Sequence, residues 1–400
     1  IRTGEIPLGL GALAMGRSYA ECAILGISDL VYSSAPAFSE GSQTAAQTAI
    51  GNSAVLDPSA AVTLARISET TRETLTASFQ FVDGTVEAYR DALQAQESLA
   101  LRSTMSLGWN QEAARPSVSR ITQTEADALA ALADGVVSVY GRARRSSWPH
   151  LKHLSEFEDA EPWLGSLDYA IETGTPFWCD DVVLRSIARD RGVSSFSTVD
   201  LMRELVHEGA LGSSEERMAE AVLIDGRYVE LGFESETMRL AADLGGWQPR
   251  GAAAVLVRAA NWADPETVIA FVLEGVARNI AADPESVRGW TYYATKGVVA
   301  IAADNRAAAQ RNVRLLVERL LSTVSMHRHA VPFVLAGVRD ALGEEPGLQD
   351  PLEDVLRQLH SGLVSKYGHP GAAQLLLALV EHTGEKDRDL AARVILTTPK

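Results

Sequence analysis

Two adjacent carboxylates, Asp180 and Asp181, follow the short apolar run Pro176, Phe177, Trp178 and Cys179. Such a run reads as a buried strand, and charge at its end is costly unless something neutralises it. A divalent cation with oxygen ligands is one remedy. Asp57 ends a second apolar run, residues 53–56, and Asp83 and Glu87 fall where the next strand gives way to a helix. Asp168 precedes the Asp180–Asp181 motif on a helix. Three or four carboxylates gathered at one edge of a sheet hold Mg²⁺ or Mn²⁺. Such ions activate a water and stabilise the leaving oxygen in phosphodiester hydrolysis. The competing role for each acid is structural. An Asp at a strand end also caps the following helix, where the helix dipole favours an anion, and Asp83, Glu87 and Asp168 also read as solvated charges on helix faces.

These acids need a frame. Residues 53–57 read as a strand and residues 58–67 as a helix with Pro58 in its first turn. Residues 75–81 are a further strand candidate, followed by a helix over 82–99. A polar stretch, 102–123, separates this from a helix over 125–140. A helix follows Asp181, then a short run from Val193 to Phe196, and Ser197-Thr198 opens another helix. Strands alternating with helices indicate an α/β fold with a helix-covered parallel sheet. In such sheets ligands bind beyond the strand C-termini, where Asp57, Asp180 and Asp181 all lie. Within residues 1–50 the pattern offers only a helix over 39–50. From about 213 the strand signal fades, and 222–232 reads as a strand or a loop. Residues 250–400 are helical by period, with Asp-Pro steps at 264–265, 283–284 and 350–351 marking starts. The expected division is an upstream segment, 1–50, an α/β domain, 51–212, and an all-α helical domain, 213–400.

Four hundred residues, 46% of them hydrophobic, suffice for more than one core. A net charge of −16 excludes a chain that coats nucleic acid or membrane with its whole surface, while allowing a local basic groove. Two cysteines, Cys22 and Cys179, form no disulfide framework, so a cytoplasmic location is expected. No apolar stretch reaches the roughly 20 residues that span a bilayer. The start at Ile1, without Met or a signal-peptide layout, suggests a fragment of a longer polypeptide.

The run SAVLDPSAAVTLARI resembles the opening strand and helix of PIN-domain nucleases: an apolar strand, an Asp, then a hydroxyl two residues on, here Asp57 and Ser59. Residues 173–211 resemble the closing part of that fold, with a Gly-ended helix, strand, acidic pair, helix, strand and last helix. The resemblance covers residues 51–212 and implies a three-layer fold and a metal-dependent endoribonuclease. It makes Asp57, Asp181 and Asp180 the candidate catalytic residues and Asp57, Asp83, Asp168 and Asp181 the candidate metal ligands for Mg²⁺ or Mn²⁺. Glu87 competes with Asp83, and Asp159 and Glu161 compete with Asp168. Ser197-Thr198 stands where a Gly-Thr step is usual, which makes Thr198, with Ser59, a candidate substrate contact.

Binding RNA needs positive charge. Residues 141–153 cluster Arg142, Arg144, Arg145 and Lys152 with Trp148, His150 and His153. Interleaved cations and aromatics suit a single strand, so Arg144, Arg145 and Trp148 are candidate RNA contacts. The same residues also suit a basic loop after a helix C-terminus. His327 and His329, two apart, share no helix face and do not suggest a metal site. The sequence contains no phosphate-binding GxxxxGK[ST], no dinucleotide-binding GxGxxG and no Gly-x-Ser-x-Gly elbow. Two functions from different classes therefore stand: a PIN-like ribonuclease, or an inactive PIN-like scaffold whose helical half binds a protein partner. Oligomeric state is not legible.

Overall fold

The computed structural model of the chain describes residues 7–25, 39–101, 105–110, 115–154, 162–226, 228 and 231–397. Its strands are β1 (Ser53–Leu56), β2 (Phe81–Thr85), β3 (Met105–Asn110), β4 (Arg115–Arg120), β5 (Arg144–Ser146), β6 (Phe177–Trp178) and β7 (Ser195–Phe196). Five of them pair in parallel in the order β5-β2-β1-β6-β7, and β3 and β4 form a separate antiparallel pair. The chain builds outward from β1 through β2 to β5, then returns to the other side of β1 with β6 and β7. The direction of winding therefore switches between β1 and β6, the place where a doubly wound sheet opens a crevice. Leu56 lies opposite Trp178 in register. Asp57 and the Cys179–Asp181 step thus leave the sheet side by side, at the same edge.

The helices of this unit are α1 (Leu8–Met15), α2 (Tyr19–Leu25), α3 (Ser39–Ala49), α4 (Pro58–Arg66), α5 (Glu69–Ala77), α6 (Val86–Ala100), α7 (Gln123–Arg142), α8 (Pro162–Thr173), α9 (Val182–Asp190), α10 (Thr198–His207) and α11 (Ser213–Asp225). Their starts follow capping chemistry. Ser68, Thr85, Thr122 and Ser197 each accept a backbone N–H of the first turn of α5, α6, α7 and α10. The core contains Leu56, Leu64, Tyr140, Trp163, Phe177, Trp178 and Phe196, and extends to Tyr19, Cys22 and Ile24 of α2.

Several local expectations are corrected. Residues 75–81 are not a strand: Ser68 caps a helix that runs to Ala77, and the second strand starts only at Phe81. The polar stretch after α6 contains the β3–β4 pair. Residues 222–225 are helical, as the end of α11. The first 25 residues hold two helices, α1 and α2, that periodicity did not reveal. Leu8–Met15 is apolar nearly all round and has Pro7 rather than a hydroxyl or carboxylate at its N-cap. Such a helix carries no amphipathic signal.

The chain divides into two compact units, residues 1–231 and 232–400. The second is helical: α12 (Ser235–Leu244), α13 (Pro265–Asn279), α14 (Pro284–Ala300), α15 (Arg306–Val324), α16 (Val331–Gly343), α17 (Leu352–Leu379) and α18 (Glu385–Thr397), with 3₁₀ turns at Ala254–Val257, Ala259–Trp262 and Arg328–Ala330. Pro265 and Pro284 stand in the first turns of α13 and α14, as the Asp-Pro steps predict. Phe271 and Trp290 meet edge to face at 5.4 Å, beside Trp247. Gly337 permits close packing of α16 on α14, since a Cβ there would lie 2.3 Å from the Arg288 carbonyl oxygen. α17 is two helical stretches broken at the non-helical Gly368 (φ 70°, ψ 170°), just before His369-Pro370. Among the described residues no helix is long and apolar enough to cross a membrane.

Candidate active site

Asp57 leaves β1 and caps α4. Its Oδ2 accepts the Ser59 N–H at 2.7 Å and the Ser59 hydroxyl at 2.6 Å. The Ser59 Oγ in turn accepts the N–H groups of Asp180 and Asp181, at 2.9 and 3.2 Å. One hydroxyl thus ties the end of β1 to the end of β6, and Asp57 and Asp181 meet across it. Both are buried, as is Asp180.

The acidic pair finds its partners within the chain. Asp180 accepts the Thr198 N–H and hydroxyl, each at 2.7 Å, and thereby fastens β6 to the start of α10. Thr198 also accepts the Trp178 indole N–H at 2.9 Å. Asp181 caps α9: its Oδ1 accepts Val183 N–H at 2.9 Å and Leu184 N–H at 3.3 Å. Its Oδ2 accepts the N–H of Leu8, at the start of α1, at 2.8 Å. Asp57 differs, because its buried Oδ1 has no hydrogen-bond partner among the described residues.

Burial accordingly dominates the proton affinities. It pushes the Asp57 carboxyl up to about 7, with the Ser59 hydroxyl and N–H opposing and the negative charge of Asp181 adding to the rise. Burial also raises Asp181, against the pull of the Leu8, Leu184 and Val183 N–H groups and of Arg185. The buried Cys179 thiol is pushed well up by burial and then by Asp57 and Asp181, so it is no thiolate nucleophile. The Tyr140 phenol is raised by burial, then by Asp57 and Asp91.

The remaining sequence-selected acids are engaged elsewhere. Asp83 forms a two-pronged pair with Arg144, Nε to Oδ1 at 2.5 Å and Nη2 to Oδ2 at 2.8 Å. Glu87 accepts the Trp148 N–H at 2.9 Å. Asp168 receives four donors: the Trp148 indole at 2.9 Å and the N–H groups of Lys152, His153 and Leu154 at 2.7 to 2.8 Å. It organises a loop. Asp159 and Glu161 lie outside the described residues. Among the described residues, no group of three or more His, Cys, Asp or Glu side chains is placed to hold a metal ion.

The basic stretch is largely answered by acids. Arg142 reaches Glu73 at 3.2 Å and Glu69 at 3.5 Å. Lys152 and His153 both bind Glu172, at 2.9 and 2.6 Å. Arg145 is exposed and stacks on Tyr89 at 4.4 Å. Trp148 packs edge-on to Tyr169, and Lys152 covers its face.

One acid near the site escaped the sequence reading. Asp91, buried on α6, accepts the Tyr19 N–H at 3.1 Å and the Ala20 N–H at 2.7 Å. A signal existed: Asp91 falls on the stripe Ala88, Ala92, Ala95 and Leu99, the buried face of α6.

A helix-flanked parallel sheet with carboxylates at its switch point defines a PIN-like, nuclease-type domain. The family comparison names it: residues 55–190 match the PIN domain associated with the TPR-GreAB-C-PIN system. The expected PIN domain is therefore present in the first unit, and all the acids just described fall inside the match. No curated protein and no solved structure matches the chain.

Proposed function

We propose that the PIN domain is a divalent-cation-dependent endoribonuclease acting from the Asp57–Asp181 pair. The observation that carries this reading is the buried Oδ1 of Asp57, without a hydrogen-bond partner among the described residues, on a residue that Ser59 ties to Asp181 at the sheet's switch point. A lone carboxylate oxygen in a dry site is costly without a partner, and a hard cation is a suitable one. Mg²⁺ commonly takes one or two carboxylates and completes its shell with water and substrate phosphate, so the two acids fit it if the second Asp181 oxygen becomes available. Bound there, the ion would supply Lewis acidity for attack of water on a phosphodiester.

The chain's own residues have defined tasks in this scheme. Ser59 fixes the Asp57 carboxylate and holds the β6 end against it. Asp180 acts as a positioning residue, through Thr198, rather than as a ligand. The apolar wall of Leu56, Phe177 and Trp178 excludes water behind the pair. RNA contact is assigned to the exposed Arg145 with Arg144 and Trp148 nearby, in a reducing, cytoplasmic setting that suits two buried free thiols. Purified protein should cleave single-stranded RNA with Mn²⁺ and lose at least about 100-fold in rate as Asp57→Asn. Equal rates in parent and variant would sink the proposal.

A second reading is an inactive PIN-like scaffold whose helical unit binds a protein partner. It is favoured by the lack, among the described residues, of a third acid beside Asp57 and Asp181. Persistent absence of Mn²⁺ binding to every form of the protein would select it.

A further inference from the structure

The Asp57–Asp181 site is covered from within the chain, and the cover is held by one of the two carboxylates a cation would use. α1 has Pro7 at its N-cap and no side-chain cap of its own. The first N–H groups of a helix need acceptors and carry partial positive charge. At α1 that need is met by Asp181, 173 residues away, through the Leu8 N–H. The next helix repeats the device, since the Tyr19 and Ala20 N–H groups at the start of α2 both bind Asp91. The two helices also pack on each other, through Trp163 between them and the rest of the buried core.

The docking is shaped as well as charged. A Cβ on Gly9 would lie 2.0 Å from the Trp163 ring, so only glycine lets α1 settle there. Trp163 stacks with Tyr19 of α2 at 6.4 Å. Arg66, on α4, donates to the Ala23 and Ile24 carbonyls and closes the far end of α2. Both helices precede the segment that matches the PIN family.

A backbone N–H and a cation compete for the same lone pair. We propose that α1, packed with α2, is an intramolecular cover that competes with a divalent cation for Asp181, so that release of the cover and loading of the site are one equilibrium. This rests on the cation-site reading above. Linkage then requires each side to weaken the other by the same factor.

Two variants of the whole 400-residue chain lift the cover without touching a carboxylate. Leu8→Pro deletes the one N–H that Asp181 Oδ2 accepts. Proline is tolerated in a first turn, and Pro7 already has the ψ of 149° that a following proline requires. Gly9→Val wedges α1 off Trp163. Mn²⁺ affinity, read as free Mn²⁺ by electron paramagnetic resonance, should rise about 10-fold in both, with Asp57→Asn abolishing the gain in the Leu8→Pro background. In the parent, saturating Mn²⁺ should speed amide exchange across residues 8–15. Equal Mn²⁺ affinity in parent and both variants overturns the cover while leaving the cation site standing, as does binding that leaves those amides protected. No binding in any form overturns the cation site, and the cover falls with it.

Discussion

At the scale of single residues, Asp57 has a carboxyl whose protonation the fold controls. Its carboxyl sits at about 7 rather than 3.8, chiefly through burial. Between those values the folded chain holds a proton that the unfolded chain has released. Stability therefore falls as pH rises through that window and levels off above it, by at most about 1.4 kcal/mol per pH unit for one group. Burial shifts Asp181 in the same direction. Urea unfolding with chelator present should show the decline from pH 5 to 7. Asp57→Asn, which removes the titration at nearly constant shape, should flatten the curve and leave the variant more stable than the parent at pH 8. A parent curve as flat as the variant's would rule out a desolvated carboxyl here.

Elements, rather than residues, decide what the other acids do. Asp168 was a candidate ligand by position, yet the loop from Trp148 to Leu154 turns back over α8 and surrounds it with four N–H donors. Leaving those donors unsatisfied should be expensive. Asp168→Ala is expected to lower stability by at least about 3 kcal/mol and to shift Trp148 fluorescence to the red, while Mn²⁺ affinity per folded molecule stays unchanged. A selective loss of Mn²⁺ affinity with normal stability would restore Asp168 as a ligand. Asp83 is decided likewise, because parallel pairing of β2 with β5 sets Asp83 opposite Arg144. An acid on an edge-side strand pair meets the neighbouring strand's cation before it can reach the switch point.

For the whole molecule, charge is the governing quantity. At −16 the chain repels a polyanion at long range, and its one clustered basic stretch is mostly paired with its own acids. Binding of RNA should therefore be weak and salt-sensitive. Glu172 holds Lys152 and His153 together. Glu172→Gln should strengthen single-stranded RNA binding several-fold and steepen the plot of log K against log salt by about one unit, read by fluorescence anisotropy. No change in slope would show that this stretch does not face the phosphates.

By itself the sequence determined the α/β character of the first half, the helical character of the second, the PIN resemblance and the partnership of Asp57 with the 180–181 pair. All of these rest on local signals: apolar runs of strand length, Asp-Pro and Ser-Thr helix starts, and an acid at each strand end. It missed α1 and α2 because an all-apolar helix without a polar cap has no period to read. For Asp180 and Asp181 it offered both a cation and helix capping, and local signals do not choose between them. Their neutralising donors are backbone N–H groups of Thr198, Val183, Leu184 and Leu8, which every sequence contains and only a folded chain aims. Proximity of Ser59 and Asp181, 122 positions apart, the diversion of Asp83 and Asp168, and the hydrogen bond from Leu8 to Asp181 were decided by the tertiary structure alone. A carboxylate's role depends on which donor reaches it first.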